Sequence, residues 1–186
     1  TSFIRSLTRA RFSFVDLILL SVSRRLTLYF KIPAIENPFM DPDEQPDADI
    51  AMRQHYGLAN LYERLGMNVY RIEPRPHLWD AVFAANYAWG RKGNFILSNY
   101  RMPIRQPEKP HFREWLNNNG FSRDHIFELP ADADNYTSFE GQAEIKTLCD
   151  EDGFLFTYGF RSSISALPQL RALINYFMQQ EGKGEA

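Results

Sequence analysis

Five polar side chains in this sequence stand beside apolar runs that need no polar group for their own folding. They are Asn37 in "ENPFM", Asp80 and Asn86 at the two ends of "DAVFAAN", Glu140 in "FEGQAE" and Arg161 in "YGFRSS". Singly, each has an ordinary structural use. An Asn before Pro is a common turn residue. Asp80 could pair with Arg75, Glu140 beside Gly141 could sit in a turn, and Arg161 could be a solvated charge. Together they are two carboxylates, two amides and a guanidinium, a set suited to a planar cation that carries a carboxylate tail. Carboxylates bind such a cation through paired, charge-assisted hydrogen bonds. An arginine grips the tail with the same fork, and neutral amides orient what lies between.

The spacing sets a geometric demand. If "WDAVFAANYAW" is one strand, Asp80 and Asn86 share a face, yet at roughly 3.3 Å per residue they lie about 20 Å apart. One small ligand cannot touch both unless the chain bends between them, for which a bulge near Ala84–Ala85 would serve.

The elements that must position these groups can be read in order. "IENPFMDPDEQPDAD" is a proline-broken acidic loop whose carboxylates suit the N-terminus of the following helix. That helix is "DIAMRQHYGLANLYERLG", with Ile50, Met52, Tyr56, Leu58, Leu61, Tyr62 and Leu65 at helical spacing and Gly66 as its stop. "MNVYRIEP" alternates as a strand. "WDAVFAANYAW" and "NFILSNY" form a hairpin around "GRKG". "RMPIRQPEKP" reads as a loop, "HFREWLNNNGF" as a short amphipathic helix ending at Gly120, and "HIFELP" as a strand. Two further strands meet at "DEDG", and "SALPQLRALINYFMQQ" closes the chain as a helix before the polar "EGKGEA". Helices alternating with strands and hairpins predict an α/β protein with a mixed sheet.

Composition narrows the function classes. The chain has 186 residues, of which 44% are hydrophobic, with a net charge of -2. That supports one domain with a real core and gives no electrostatic case for binding nucleic acid or a membrane surface. A single cysteine, Cys149, excludes an internal disulfide framework and fits a reducing, cytoplasmic setting. The four histidines show no metal-ligand spacing, so neither a metal nor another cofactor is expected. The N-terminus is locally basic, with Arg5, Arg9, Arg11, Arg24, Arg25 and Lys31 against Asp16 alone. Its apolar run "FSFVDLILLSVS" is too short and interrupted for a span. A signal peptide, an amphipathic surface helix and a membrane anchor are all readings of it.

The runs "YFKIPAIENPFM", "YERLGMNVYRIEP", "DAVFAAN", "RQPEKPHFREWLNNNGF", "FEGQAE" and "YGFRS" occur in an order that resembles the N-terminal half of the amidinotransferase and dimethylarginine dimethylaminohydrolase superfamily. These are pentein, or β/α-propeller, proteins, and the branch most like this chain contains the bacterial arginine dihydrolases. The resemblance implies a partial propeller of ββαβ-type units, incomplete at the C-terminus, over residues 29–178. Residues 1–28 would be an extension outside the pattern or an artefact of a disrupted reading frame, and residues 179–186 a polar tail. It implies that Asp80 binds the guanidinium and that Asn86 marks the dihydrolase-like branch. Asn37 would complete the binding set, Glu140 would assist catalysis, and Arg161 would grip the substrate carboxylate.

Three departures bear on activity. Asn99 stands where many relatives carry an arginine, with Arg101 or Arg105 as possible substitutes. Ala143 and Glu144 replace a glycine and an aspartate, which would disturb a tight turn. The nucleophilic cysteine and the general acid–base histidine of such enzymes fall in the other half of the pattern, and Cys149 lies in the wrong motif. The expectation is therefore a fragment of a hydrolase acting on C–N bonds of linear amidines, with arginine or a methylarginine as substrate and a thiouronium intermediate. By itself it would be inactive. The alternative is a non-catalytic binding protein, a homo-oligomer, or a subunit completed by a separate C-terminal partner.

Overall fold

A computed structural model describes residues 18–21, 39, 41, 43–130, 137–148 and 153–183. Asn37 and Cys149, and with them the expectations placed on them, lie outside the described residues. So does the "DEDG" turn.

The first helix, α1 (Ala48–Arg64), starts where the acidic loop ends. Asp47 caps it by accepting the Ile50 amide at 2.9 Å. Gly66 ends it with φ +82°, and the Met67 amide reaches back to the Tyr62 carbonyl at 3.0 Å. This is a Schellman closure, which needs the left-handed conformation that glycine adopts without strain. The next strand, β2 (Val69–Ile72), pairs in parallel with β1 (Ile18–Ser21), in register Ile18 with Val69. The segment 1–28, read from sequence as lying outside the pattern, thus contributes a strand to a sheet.

A hairpin follows, β3 (Ala88–Arg91) with β4 (Asn94–Leu97), and β5 (Ile126–Phe127) adds in parallel to β4. Its side chains alternate between two cores, as the period of a strand requires. Ala88, Phe95 and Leu97 face a cluster with Tyr87, Phe112 and Leu116 from α2 (Glu108–Asn118). Trp89 and Ile96 face the other cluster, with Leu170, Ile174 and Phe177 from α3 (Leu167–Lys183). The three-stranded sheet is therefore covered by a helix on each side. The last strands, β6 (Ile145–Thr147) and β7 (Phe154–Phe156), pair antiparallel, as expected for a hairpin across "DEDG". The class is mixed α/β, and the described strands form three small sheets.

Two expectations need correction. The run from Trp79 to Asn86 is not a strand: it folds into consecutive 3₁₀ turns, Trp79–Val82 and Ala84–Asn86, and β3 begins only at Ala88. Its amides bond locally, Phe83 to the Asp80 carbonyl at 2.9 Å and Asn86 to the Phe83 carbonyl at 3.0 Å. A short apolar run carries no periodicity that separates the two outcomes. Helix α2 also begins earlier than expected, at Glu108, because Pro107 and Pro110 fall at its cap and first turn, where a missing N–H costs nothing.

Candidate functional site

The coiled segment from Asp80 to Asn86 removes the geometric obstacle. Asn86 and Asp80 no longer sit at opposite ends of an extended strand; both meet the group around Glu140. The Asn86 side-chain amide donates to Glu140 Oε2 at 2.8 Å. The Asn86 carbonyl accepts from the Ser98 hydroxyl at the end of β4, which fixes the direction of the amide.

Glu140 is fully buried, and several ties hold it there. Phe139 and Asn99 exchange backbone hydrogen bonds at 2.8 and 3.0 Å, which anchors the approach to Glu140 on the strand leaving β4. The Ser162 hydroxyl accepts from the Glu140 amide at 3.2 Å. Gly141 then lies directly on β3. A Cβ there would stand 2.7 Å from the Ala88 carbonyl oxygen, and its φ is +58°. Only a glycine lets the turn Gly141–Ala143 press that closely against the strand. Ala143 and Glu144 do not disrupt this turn: neither has a positive φ, and Glu144 accepts from the Thr157 hydroxyl at 2.7 Å.

At the centre is Arg105, with 0% of its side chain exposed. Its Nε and Nη2 form a fork onto Glu108 at 2.9 and 2.7 Å. Nη2 also donates to the Asp80 carbonyl at 3.3 Å. Nη1 lies 3.6 Å from Glu140 Oε2, and Nε lies 4.0 Å from Asp80 Oδ2. The guanidinium carbon stands 4.7 Å from the Tyr100 ring centre and 5.9 Å from that of Phe83. Burial works against the charged form of Arg105, but the hydrogen bonds and charge of Glu108 outweigh it and raise its pKa. Burial also raises the pKa of Glu108, and Arg105 offsets that only in part.

Arg161 completes the group. Its Nη1 lies 3.4 Å from Glu140 Oε2, and its side chain is 21% exposed. Beside it, Arg101 donates to the Phe160 carbonyl at 3.1 Å. The structure therefore brings Asp80, Asn86, Glu140 and Arg161 together. Asn99 turns its amide to the Thr137 carbonyl, and neither Arg101 nor Arg105 takes its place. The Arg105–Glu108 pair was missed as a centre because "RMPIRQPEKP" reads as loop; the three-residue spacing of the pair was the available signal.

Two buried atoms stay without a hydrogen-bond partner, Glu140 Oε1 and Arg105 Nη1. A buried carboxylate oxygen with no donor is costly unless a ligand supplies one. Among the described residues no cluster of His, Cys, Asp and Glu could hold a metal ion, and no helix is long and apolar enough to cross a membrane.

Residues 30–177 match the family model for N,N dimethylarginine dimethylhydrolase, eukaryotic. The chain belongs to this family. Among curated family relatives, the bifunctional arginine dihydrolase/ornithine cyclodeaminase AgrE of Nostoc sp. is 31% identical over 145 residues, covering 76% of this chain and 19% of AgrE. The N(G),N(G)-dimethylarginine dimethylaminohydrolase of Mycobacterium tuberculosis is 27% identical over 146 residues, covering 78% of this chain and 45% of that protein. The solved structure of AgrE in a binary complex with L-arginine is similar at a TM-score of 0.70 and 27% identity, over 82% of this chain and 21% of that one. This chain thus spans less than half the length of either curated relative. The dimethylarginine dimethylaminohydrolase and arginine dihydrolase likeness read from the motifs is the relationship found.

Proposed function

We propose that this chain carries the guanidino-binding part of a hydrolase acting on C–N bonds of linear amidines, with arginine or a methylarginine as the compound bound. The observation that carries this is the buried, unpartnered Oε1 of Glu140, set in a group where Asp80 and Glu140 both reach one guanidinium rim. With Arg105 neutralised by Glu108, the remaining carboxylates exceed the one further cation, Arg161, and the place favours a positive ligand. Asp80 and Glu140 would take the ligand's planar cation, Asn86 would orient Glu140, and Arg161 would turn to the ligand's carboxylate. Asn37 is assigned to the same set by its motif. The described sheets would be units of a propeller ring. The thiolate attack on the guanidinium carbon requires a cysteine and a histidine that these residues do not supply, so the chain as given binds without turnover.

Titration calorimetry with L-arginine and with agmatine, which lacks the carboxylate, tests this. Glu140→Gln should abolish detectable binding of both. Arg161→Met should remove the preference for arginine over agmatine. Arginine binding unchanged by Glu140→Gln would overturn the site, and release of ammonia or citrulline from arginine by the purified chain would overturn the absence of turnover.

A second reading, a binding subunit completed by another polypeptide, is favoured by the exposed aromatic rings of Phe83, Tyr158 and Phe160 beside Arg105 and Arg161. Sedimentation of the chain alone and with a candidate C-terminal partner separates the two.

A further inference from the structure

We propose that Arg105 is a positioning residue, a fixed cation that sets Asp80 and Glu140 for the guanidinium end of the ligand; this rests on the guanidino-site reading above. Three elements distant in sequence meet on its side chain: the 3₁₀ turn of Asp80, the first turn of α2 through Glu108, and the turn of Glu140. Its fork is fully committed to Glu108, and the Tyr100 ring covers one side of the plane. It therefore cannot swing out to become a ligand contact itself.

What remains is the outer rim, and that rim faces the two carboxylates at distances suited to charge attraction rather than saturated hydrogen bonding. Asp80 Oδ2 lies 4.0 Å from Nε, and Glu140 Oε2 lies 3.6 Å from Nη1, which has no hydrogen-bond partner. Arg105 thus draws both carboxylates inward without using up their lone pairs. Glu140 Oε1 is left open for an incoming donor. Two carboxylates this close would otherwise repel, and the bound cation would have to overcome that repulsion in addition to its own desolvation. A lysine would retain the charge but not the fork, so it could not be held rigidly by Glu108 while facing Asp80 and Glu140 at once.

The test compares the wild-type chain with Arg105→Lys and Glu108→Gln, reading dissociation constants for L-arginine and L-ornithine by calorimetry. Ornithine keeps the carboxylate end but replaces the planar guanidinium with an ammonium. Both variants should weaken arginine about tenfold or more while changing ornithine much less, because fork geometry matters to a planar ligand and little to a point charge. The arginine-to-ornithine ratio should therefore collapse. A purely structural role would weaken both ligands by the same factor, and that outcome overturns the proposal. So does a wild-type ratio in Arg105→Lys. If neither variant folds by near-ultraviolet circular dichroism, Arg105 holds the fold rather than the site and the proposal falls. If the wild-type chain itself binds no arginine, the guanidino-site reading fails, and Arg105 with it.

Discussion

Replacing Gly141 with alanine should cost far more than the addition of one methyl group suggests. The new Cβ would lie 2.7, 2.8 and 2.9 Å from the oxygen, carbon and nitrogen of Ala88, all backbone atoms in the first residue of β3. None is the end of a flexible side chain, so either the strand or the turn must move. The left-handed φ of +58° adds a conformational cost of about 1–2 kcal/mol for a residue with a Cβ. Overpacking against a fixed wall adds about 1–3 kcal/mol. The sum, about 2–5 kcal/mol, is a large share of the roughly 5–15 kcal/mol that holds a domain together. In a chain of this size it should lower Tm on the order of 10 °C. Gly93→Ala is the matched control: its φ is +81°, but nothing stands within 4 Å, so only the conformational part applies. Thermal and urea denaturation of the two variants isolates the steric contribution. Equal melting of Gly141→Ala and Gly93→Ala would refute the reasoning. Binding gives a second measurement: Glu140 is the adjacent residue, so Gly141→Ala should lose arginine affinity at temperatures where it is still fully folded.

Two other outcomes follow from the packing of α3. Phe177 is fully buried, stacked on Trp89 at 6.2 Å between ring centres and tilted against Phe127 at 4.9 Å. Phe177→Ala should destabilise by about 3–5 kcal/mol in urea denaturation, while arginine binding by the remaining folded protein should change little. Glu181 takes a fork from Arg91 at 2.8 and 3.0 Å and is joined by Lys92 at 3.1 Å. Burial pushes its pKa up, but the hydrogen bonds and charges of Arg91 and Lys92 outweigh that and hold it below the ordinary 4.5. A lowered carboxylate pKa gives stability that is present above 4.5 and is lost as pH falls through the folded value. Glu181→Gln should cost less than about 1 kcal/mol at neutral pH and should flatten the acid limb of a stability–pH curve. An acid limb identical to wild type would exclude this pair as its source.

What the sequence made legible was mostly what local rules decide. Gly66 and Gly120 were readable as helix stops because a left-handed closure after an amphipathic run has few other candidates, and both carry positive φ. The "GRKG" hairpin was readable for the same reason. The Asp80–Asn86 segment was not, because its conformation is set by contacts from elsewhere: Tyr87 donates to the Ala81 carbonyl at 2.8 Å, and Ser98 binds the Asn86 carbonyl. In the candidate site, residue types pointed to Asp80, Asn86, Glu140 and Arg161. The centre on which they converge was invisible, since burial of Arg105 depends on α2 starting at a proline and on the ring of Tyr100. No pattern of spacings reports that a charged side chain will be enclosed.

The alternation of the β3–β4 hairpin between two cores has a kinetic corollary. Strand β4 is central in its sheet and buried on both faces, whereas β6 and β7 form a separate pair with Leu155 outward. Amide protons of Phe95–Leu97 can reach solvent only when the layers on both sides part together. Their exchange with deuterium should track global unfolding, while the β6–β7 amides exchange through local opening. The slowest-exchanging backbone would then be the strand that leads directly into Ser98 and Asn99, so the candidate site hangs from the last part of the molecule to come undone.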